Sequence, residues 1–451
     1  MRYLPHTPAE IEQMLAVIGK QSVDELFATI PKEARLEAAL KVPAPLDEAA
    51  LMAHLAALAE NNGGARMLSF LGAGAYCHHI PPAVDQLLLR SEFYTAYTPY
   101  QPEVAQGTLQ AIWEFQTIVS EIYGLPLANA SLYDGASATA EAALMARRLT
   151  RRSKILISGC VHPEYRATTA TYLSGDAPPG FTDIPVGEDG RSSLTALRAS
   201  ITDDVAAVIV STPSFLGPLT DLAPIAEAAH AHGALLVVTC PEPYALAIAE
   251  SPGALGADIV VGEGQPLACS PQFGGPGVGL LACRQDRQYL QQLPGRVAGE
   301  TVDAAGRRGY VLTLATREQH IRRDRATSNI CTNQGLIALA LAIRASLLGK
   351  QGFIEVAKQC LAKATYLRGR ILELDGYGAG FADAAFFNEF AIKTERRTAA
   401  EVCEKLEAQG ILAGFDLGRV NPAWNNRLLV AVTELHQRAD LDRFVAALGS
   451  L

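Results

Sequence analysis

The sequence has 451 residues and no lysine between Lys154 and Lys350. That gap excludes an amine nucleophile over most of the strand-like segments. Eight cysteines (77, 160, 240, 269, 283, 331, 360 and 403) form no CxxC pair, and several sit inside apolar runs such as "LLVVTC". Reduced, buried thiols are expected rather than a disulfide framework. No apolar run approaches the roughly 20 residues that span a bilayer. The opening "MRYLPHTPAEIEQML" has neither a signal-peptide core nor an Arg/Ser-rich transit pattern, so a cytoplasmic chain without a membrane partner is expected. Positive charge is short too: the net charge is -9 and the pI about 5.6, which argues against nucleic acid. No GxGxxG follows a strand and opens a helix; "GAGAY" (72–76) is a superficial match, so a dinucleotide dehydrogenase is a poor reading. Cys77, His78 and His79 are adjacent. Neighbouring side chains rarely converge on one ion, and no metal is expected.

What is present suits a well-buried α/β protein, with 49% hydrophobic and 19% charged residues. The first segment is helical: "TPAEIEQMLAVIG" offers Thr7 as N-cap, Pro8 at the first helical position and Glu10 to complete a capping box. "SVDELFATIP" repeats that logic with Ser22 and Glu25. From Lys154 the pattern becomes βα alternation, with strands at "KILISG", "AAVIVST", "ALLVVTC", "DIVVG" and "GVGLLAC". Continuous apolar strands joined by crossovers predict a mainly parallel sheet covered on both faces. After about residue 335 an apolar helix, "GLIALALAIRASLLG", leads into a small α+β region. The expected organisation is a helical arm (1–64), a large α/β domain (65–334) and a small α+β domain (335–451).

Ligands of such sheets bind beyond the carboxyl ends of the strands. Four stretches lie there. Asp134–Gly135–Ala136–Ser137 feeds an alanine-rich helix whose amino end suits a phosphate, or is simply capped by Asp134 or Ser137. His162 follows a strand, where it could stack on a planar ring or serve structure alone. Thr239 ends another strand, with Glu242 three residues on. The fourth, "DIVVGEGQPLACSPQFGGPG" (258–277), runs from strand into glycine-rich loop and offers only Gln265, Cys269 and Ser270.

Phosphate turn, ring-stacking loop, strand-end polar residue and GGPG loop follow one another as in fold type I pyridoxal-phosphate enzymes, whose large domain this order resembles. In that class the strand-end residue is Asp and the later loop carries the Schiff-base Lys. Both are missing here, so the cradle stands without the machinery.

A closer resemblance rests on residues 91–142, "SEFYTAYTPYQPEVAQGTLQAIWEFQTIVSEIYGLPLANASLYDGASATAEA", with "FLGAGAYCHHIPPAV", "EGQPLACSPQFGGPGVG" and "RRDRATSNICTNQ". These resemble the amino-terminal half of the glycine-cleavage P-protein, over essentially the whole chain. The length matches one half of that two-halved protein. The resemblance therefore implies the first subunit of a split form, inactive alone, with the lysine on a homologous second subunit in an α2β2 heterotetramer. It implies pyridoxal phosphate bound covalently by that partner and not by this chain. The reaction it implies is decarboxylation of glycine, with the aminomethyl group passed to the lipoamide of the H-protein. On this reading no catalytic residue lies in this chain. Tyr97, Thr98, Tyr100, Gln101 and Glu103 would line the partner's substrate site, or form a rigid connector packed in the interface. Gly135, Ser137, His162 and Thr239 would be a vestigial cofactor cradle. Gly274, Gly275, Thr327, Ser328 and Asn329 would approach the neighbouring subunit. The alternative is a scaffold or carrier-docking subunit that never touches substrate.

Overall fold

The apolar runs between Lys154 and Cys283 form most of one seven-stranded sheet, which Leu127–Ala128 completes at an edge. The computed structural model describes residues 5–36, 38, 40–175, 180–314, 317, 319–382 and 384–451. The strands are β1 (Leu127–Ala128), β2 (Lys154–Ser158), β3 (Thr182–Ile184), β4 (Val205–Ser211), β5 (Leu235–Cys240), β6 (Ile259–Glu263) and β7 (Gly279–Cys283). Their order is β1-β7-β6-β5-β4-β2-β3. Five run parallel, while β7 and β1 are antiparallel at one edge. The two-residue side-chain period divides the central strands between two cores. Val208, Val238 and Val260 point into one; Ile209, Val237 and Val261 point into the other. A sheet buried on both faces is why these strands read as unbroken apolar runs.

The chain forms two compact units, Met1–Gly63 and Gly64–Leu451. In the first, α1 (Pro8–Val17) starts as its sequence predicts: Thr7 donates its N–H to Glu10 Oε2 at 2.6 Å and its hydroxyl accepts from Glu10 N. The second expected helix is a correction. "VDELF" is a single 3-10 turn, because the Ser22 hydroxyl caps nothing and Glu25 instead accepts from Gln21 N at 3.2 Å. A longer helix, α2, follows at Glu48–Glu60, capped by Asp47.

In the second unit α3 (Gln106–Tyr123) and α4 (Gly135–Thr150) cover the large sheet. A hairpin of β8 (Val297–Val302) and β9 (Arg308–Thr313) packs on α3. A four-stranded antiparallel sheet comprises β10 (Tyr377–Ala379), β11 (Glu389–Thr394), β12 (Phe415–Asp416) and β13 (Arg427–Ala431), in the order β10-β11-β13-β12. Its core gathers Phe70, Leu367, Ile392, Val430 and Phe444. The 38-residue α5 (Gly335–Leu372) bends at Gly349, whose φ of 59° with ψ of -179° is a combination natural to glycine. Ala338 and Leu341 join a core of the large sheet, Leu367 and Ile371 that of the small one. By length and composition α5 could cross a membrane, which the sequence reading had not allowed. The helix runs past Arg344 and Lys350, and Arg344 is buried with a hydrogen bond to the carbonyl of Pro266.

Candidate active site

The carboxyl edge of the large sheet brings Gly135, Ser137, His162, Thr239 and the loop after β6 together, but their polar atoms turn on one another. Asp134 caps α4: its Oδ1 accepts from Ser137 N at 2.7 Å, and Ser137 Oγ returns to Asp134 N at 3.1 Å. Of the two readings of this turn, the reciprocal cap is therefore in place. The Gly135 N–H is taken as well. It donates at 3.0 Å to Glu263 Oε2, at the end of β6. Glu263 also accepts from Gln265 N and Val278 N, each at 2.9 Å. Burial pushes its carboxyl up to about 7, against the three N–H groups that favour its charge. A carboxylate thus fills the anion seat at the head of α4.

The ring's place is closed by the chain itself. His162 Nδ1 accepts from Glu164 N at 3.1 Å, so Nε2 carries the proton and donates to Ala73 O at 2.8 Å. Burial lowers the pKa of this imidazole, consistent with the neutral form. A Cβ on Gly74 would lie 2.6 Å from His162 Cδ2, so the backbone of 73–74 lies directly on the ring. Thr239 is fully buried and its hydroxyl donates to Val210 O at 3.3 Å. Gln265, in the loop where fold type I enzymes carry lysine, is spent on the backbone: Oε1 accepts from Tyr76 N, and Nε2 donates to Tyr76 O at 3.0 Å and Cys269 O at 2.6 Å. Glu389 of β11 accepts from Ala73 N at 2.6 Å and from Tyr76 Oη at 2.8 Å, and burial raises its carboxyl to about 7. Residues 72–76, bonded to both sheets, plug the cleft between them. The residues present do not fit pyridoxal phosphate in this chain.

Beneath the plug lies a cluster that the sequence reading did not assemble. His78 is buried between two carboxylates, with Nδ1 2.7 Å from Glu434 Oε2 and Nε2 3.0 Å from Glu242 Oε2. Burial opposes charge on this imidazole, but the charge of Glu242 and the hydrogen bonds with Cys360, Glu242 and Glu434 outweigh it and hold the pKa well above the usual value. Burial likewise opposes charge on Glu434, yet the His78 partnership draws it down to about 2. Glu242 is thus a His78 partner and not a substitute for the strand-end Asp whose place Thr239 takes. His78, Cys360 and Glu434 bring N, S and O atoms within 4.8 Å of one another. Of the adjacent Cys77–His78–His79 only His78 belongs to that group; the other members come from α5 and from the turn after β13.

The segment 97–103 contrasts with the cleft. Tyr97, Tyr100, Gln101 and Glu103 are exposed and Thr98 is half-buried; the hydroxyls of Thr98 and Tyr100 are tied to Arg296 at 2.9 and 3.0 Å. Of the five expected lining residues, Thr98 and Tyr100 are therefore held from below, and Tyr97, Gln101 and Glu103 project free of that tie. Gly274 (φ 88°) and Gly275 (φ 156°) form an open loop with nothing within reach of an added Cβ on Gly274, beside a fully exposed Phe273. Thr327 N donates to Arg317 O, Ser328 Oγ accepts from Ile330 N, and Asn329 is exposed.

Sheet order and filled cradle define a fold type I pyridoxal-phosphate-type large domain whose own cofactor seat is closed. Lactobacillus brevis glutamate decarboxylase shares the fold with a TM-score of 0.68 at 11% identity, covering 94% of this chain and 96% of that one. The model of the glycine cleavage system P-protein family matches residues 1–448, and the chain belongs to that family. It is 60% identical over 451 residues, 100% of this chain and 99% of the relative, to the probable glycine dehydrogenase (decarboxylating) subunit 1 of Sorangium cellulosum. A crystal structure of glycine decarboxylase (P-protein) of the glycine cleavage system, in inhibitor-bound form, matches with a TM-score of 0.90 at 44% identity over the full length of both chains.

Proposed function

We propose that this chain is the non-lysine subunit of a cytoplasmic, two-subunit glycine dehydrogenase (decarboxylating), which works on a site whose cofactor the second subunit holds. The carrying observation is the closed cradle: Glu263 at the head of α4 and residues 72–76 over His162 leave no seat here. On this reading Gly135, Ser137, His162 and Thr239 are a vestigial cradle maintained as packing. Tyr97, Gln101 and Glu103 project towards the partner's substrate site, where neutral hydrogen bonds from Tyr and Gln orient glycine for loss of CO2. Glu103 steadies that approach. Gly274, Gly275 and Asn329 face the same neighbour, with Thr327 and Ser328 shaping the loop behind them. The remaining aminomethyl group leaves on the lipoylated H-protein, in an α2β2 assembly.

The test uses this chain alone and with the second subunit. Each sample is scanned for cofactor absorbance after adding pyridoxal phosphate, reduced with borohydride, and assayed for glycine-dependent CO2 exchange. Colour and exchange only in the mixture support the reading. A borohydride-trapped adduct on this chain alone would sink it. Tyr97→Phe and Glu103→Gln in the assembled enzyme separate it from a pure scaffold, for which turnover would not change.

A further inference from the structure

We infer that Arg296 is the positioning residue of the 97–103 segment, and that it sets Thr98 and Tyr100 before the segment meets its partner. This rests on the reading above that the segment serves the partner's site. Arg296 keeps only 4% of its surface exposed. Its Nη1 donates to Thr98 Oγ1 at 2.9 Å, its Nη2 to Tyr100 Oη at 3.0 Å, and its guanidinium lies 5.3 Å from the centre of the Tyr100 ring. Burying a guanidinium is costly, and this one is directed at two hydroxyls nearly two hundred positions away in sequence.

The base from which it reaches is fixed. Arg296 follows Gly295, held at φ 74°, and opens β8; its carbonyl accepts from Ala130 N at 2.8 Å. Arg317 holds the Gly295 carbonyl at 3.1 Å. The far end of the segment is pinned to the same hairpin through Gln106. Its Nε2 donates to Pro102 O at 2.8 Å and Tyr310 O at 2.9 Å, while its Oε1 accepts from Tyr310 N at 2.9 Å. Beside and between these two pins stand Tyr97, Gln101, Glu103 and Val104, all exposed.

The chemistry of the pin is directional. A guanidinium can only donate, so both hydroxyl oxygens must accept from it. The single proton on Thr98 Oγ1 is then turned away from Arg296, towards an acceptor such as a carboxylate. A planar fork reaching two oxygens is a task that lysine, a single flexible point donor, does poorly.

The experiment uses the assembled two-subunit enzyme with Arg296→Met, Arg296→Lys, the pair Thr98→Val with Tyr100→Phe, and Tyr97→Phe as a control on the segment itself. Hydrogen exchange of amides 97–104 reads position directly, and glycine-dependent CO2 exchange reads function. Arg296→Met is expected to speed exchange across 97–104 and to lower kcat/KM for glycine by about 100-fold, as a small misplacement can. Arg296→Lys should lose about tenfold, close to one charge-assisted hydrogen bond. The Thr98/Tyr100 pair should reproduce Arg296→Met, and adding Arg296→Met to it should cost little more. Unchanged amide exchange in Arg296→Met would overturn the inference. So would Arg296→Met with normal kcat/KM when Tyr97→Phe is impaired. If neither Arg296→Met nor Tyr97→Phe alters turnover while the amides loosen, the reading of the segment as part of the site fails, and the catalytic part of this inference falls with it.

Discussion

Two loop systems of this chain match one family pattern and meet opposite environments. Around Gly135, His162 and Thr239 the donors and acceptors are closed on one another, and Ser137, Thr239 and Glu263 keep at most 8% of their surface. Along 97–104 the segment is held at Thr98, Tyr100 and Pro102, yet Tyr97 keeps 77% and Val104 81%. The difference lies in where the hydrogen bonds go. The cleft spends most of its polar groups on its own chain, although the buried Tyr165 Oη beside Gly135 has no hydrogen-bond partner. The segment is satisfied only underneath, which holds its outer side chains in place without using them.

Substitutions in the cleft should therefore cost stability, and those on the projecting side chains should cost turnover. Glu263→Ala strands the N–H groups of Gly135, Gln265 and Val278 in a buried setting, each worth about 1–3 kcal/mol, so a loss of about 4 kcal/mol in urea unfolding is expected. A loss under 1 kcal/mol would mean that water reaches the seat and that the cleft is not closed.

The pH dependence follows from Glu389. Its folded pKa, about 7, lies above its ordinary value of 4.5. Its contribution is thus fully present below about pH 4.5 and is lost as pH rises towards 7, by roughly 3 kcal/mol at most. Glu389→Gln cannot ionise. Its stability relative to the parent chain should climb between pH 4.5 and 7, as followed by unfolding at several pH values; a flat difference would refute the assignment.

Gly135→Ala probes what that glycine is for. A Cβ there would lie 2.2 Å from Tyr165 Oη, so a loss of about 2 kcal/mol is expected in this chain alone, with no cofactor added. At the small end, Tyr97→Phe should move stability by no more than about 0.5 kcal/mol, as exposed sites do. Its effect should appear instead as a severalfold loss of glycine turnover in the assembled enzyme. If Tyr97→Phe destabilises the isolated chain more than Gly135→Ala does, the contrast between the two regions is wrong.

The strands and the α1 cap were legible because their signals are local: a period of two, an unbroken apolar run, a Thr with Glu three residues on. The class of fold was legible from the order of four strand-edge loops. The closure of the cleft was not, since Glu263 meets Gly135 across 128 positions and Gln265 meets Tyr76 across 189. One clue was available. Glu263 ends an otherwise apolar strand, and a buried acid at a strand's carboxyl end must find donors. Arg296 left a similar mark in "LPGRVAG", a charge at the head of an apolar run. The His78 cluster draws its members from the stretch just after the plug, the loop after β5, α5 and the turn after β13, and no spacing in the chain announces it.

The bend of α5 at Gly349 bears on modularity. A single helix supplies Ala338 and Leu341 to one core and, after the bend, Leu367 and Ile371 to another, so the two sheets share a structural member as adjoining rooms share a beam. A gene divided just before residue 335 would leave the larger piece with an unroofed core and the smaller with a helix half of whose apolar surface has no mate. Wherever this lineage breaks or joins its chains, the tolerable seams lie outside that helix.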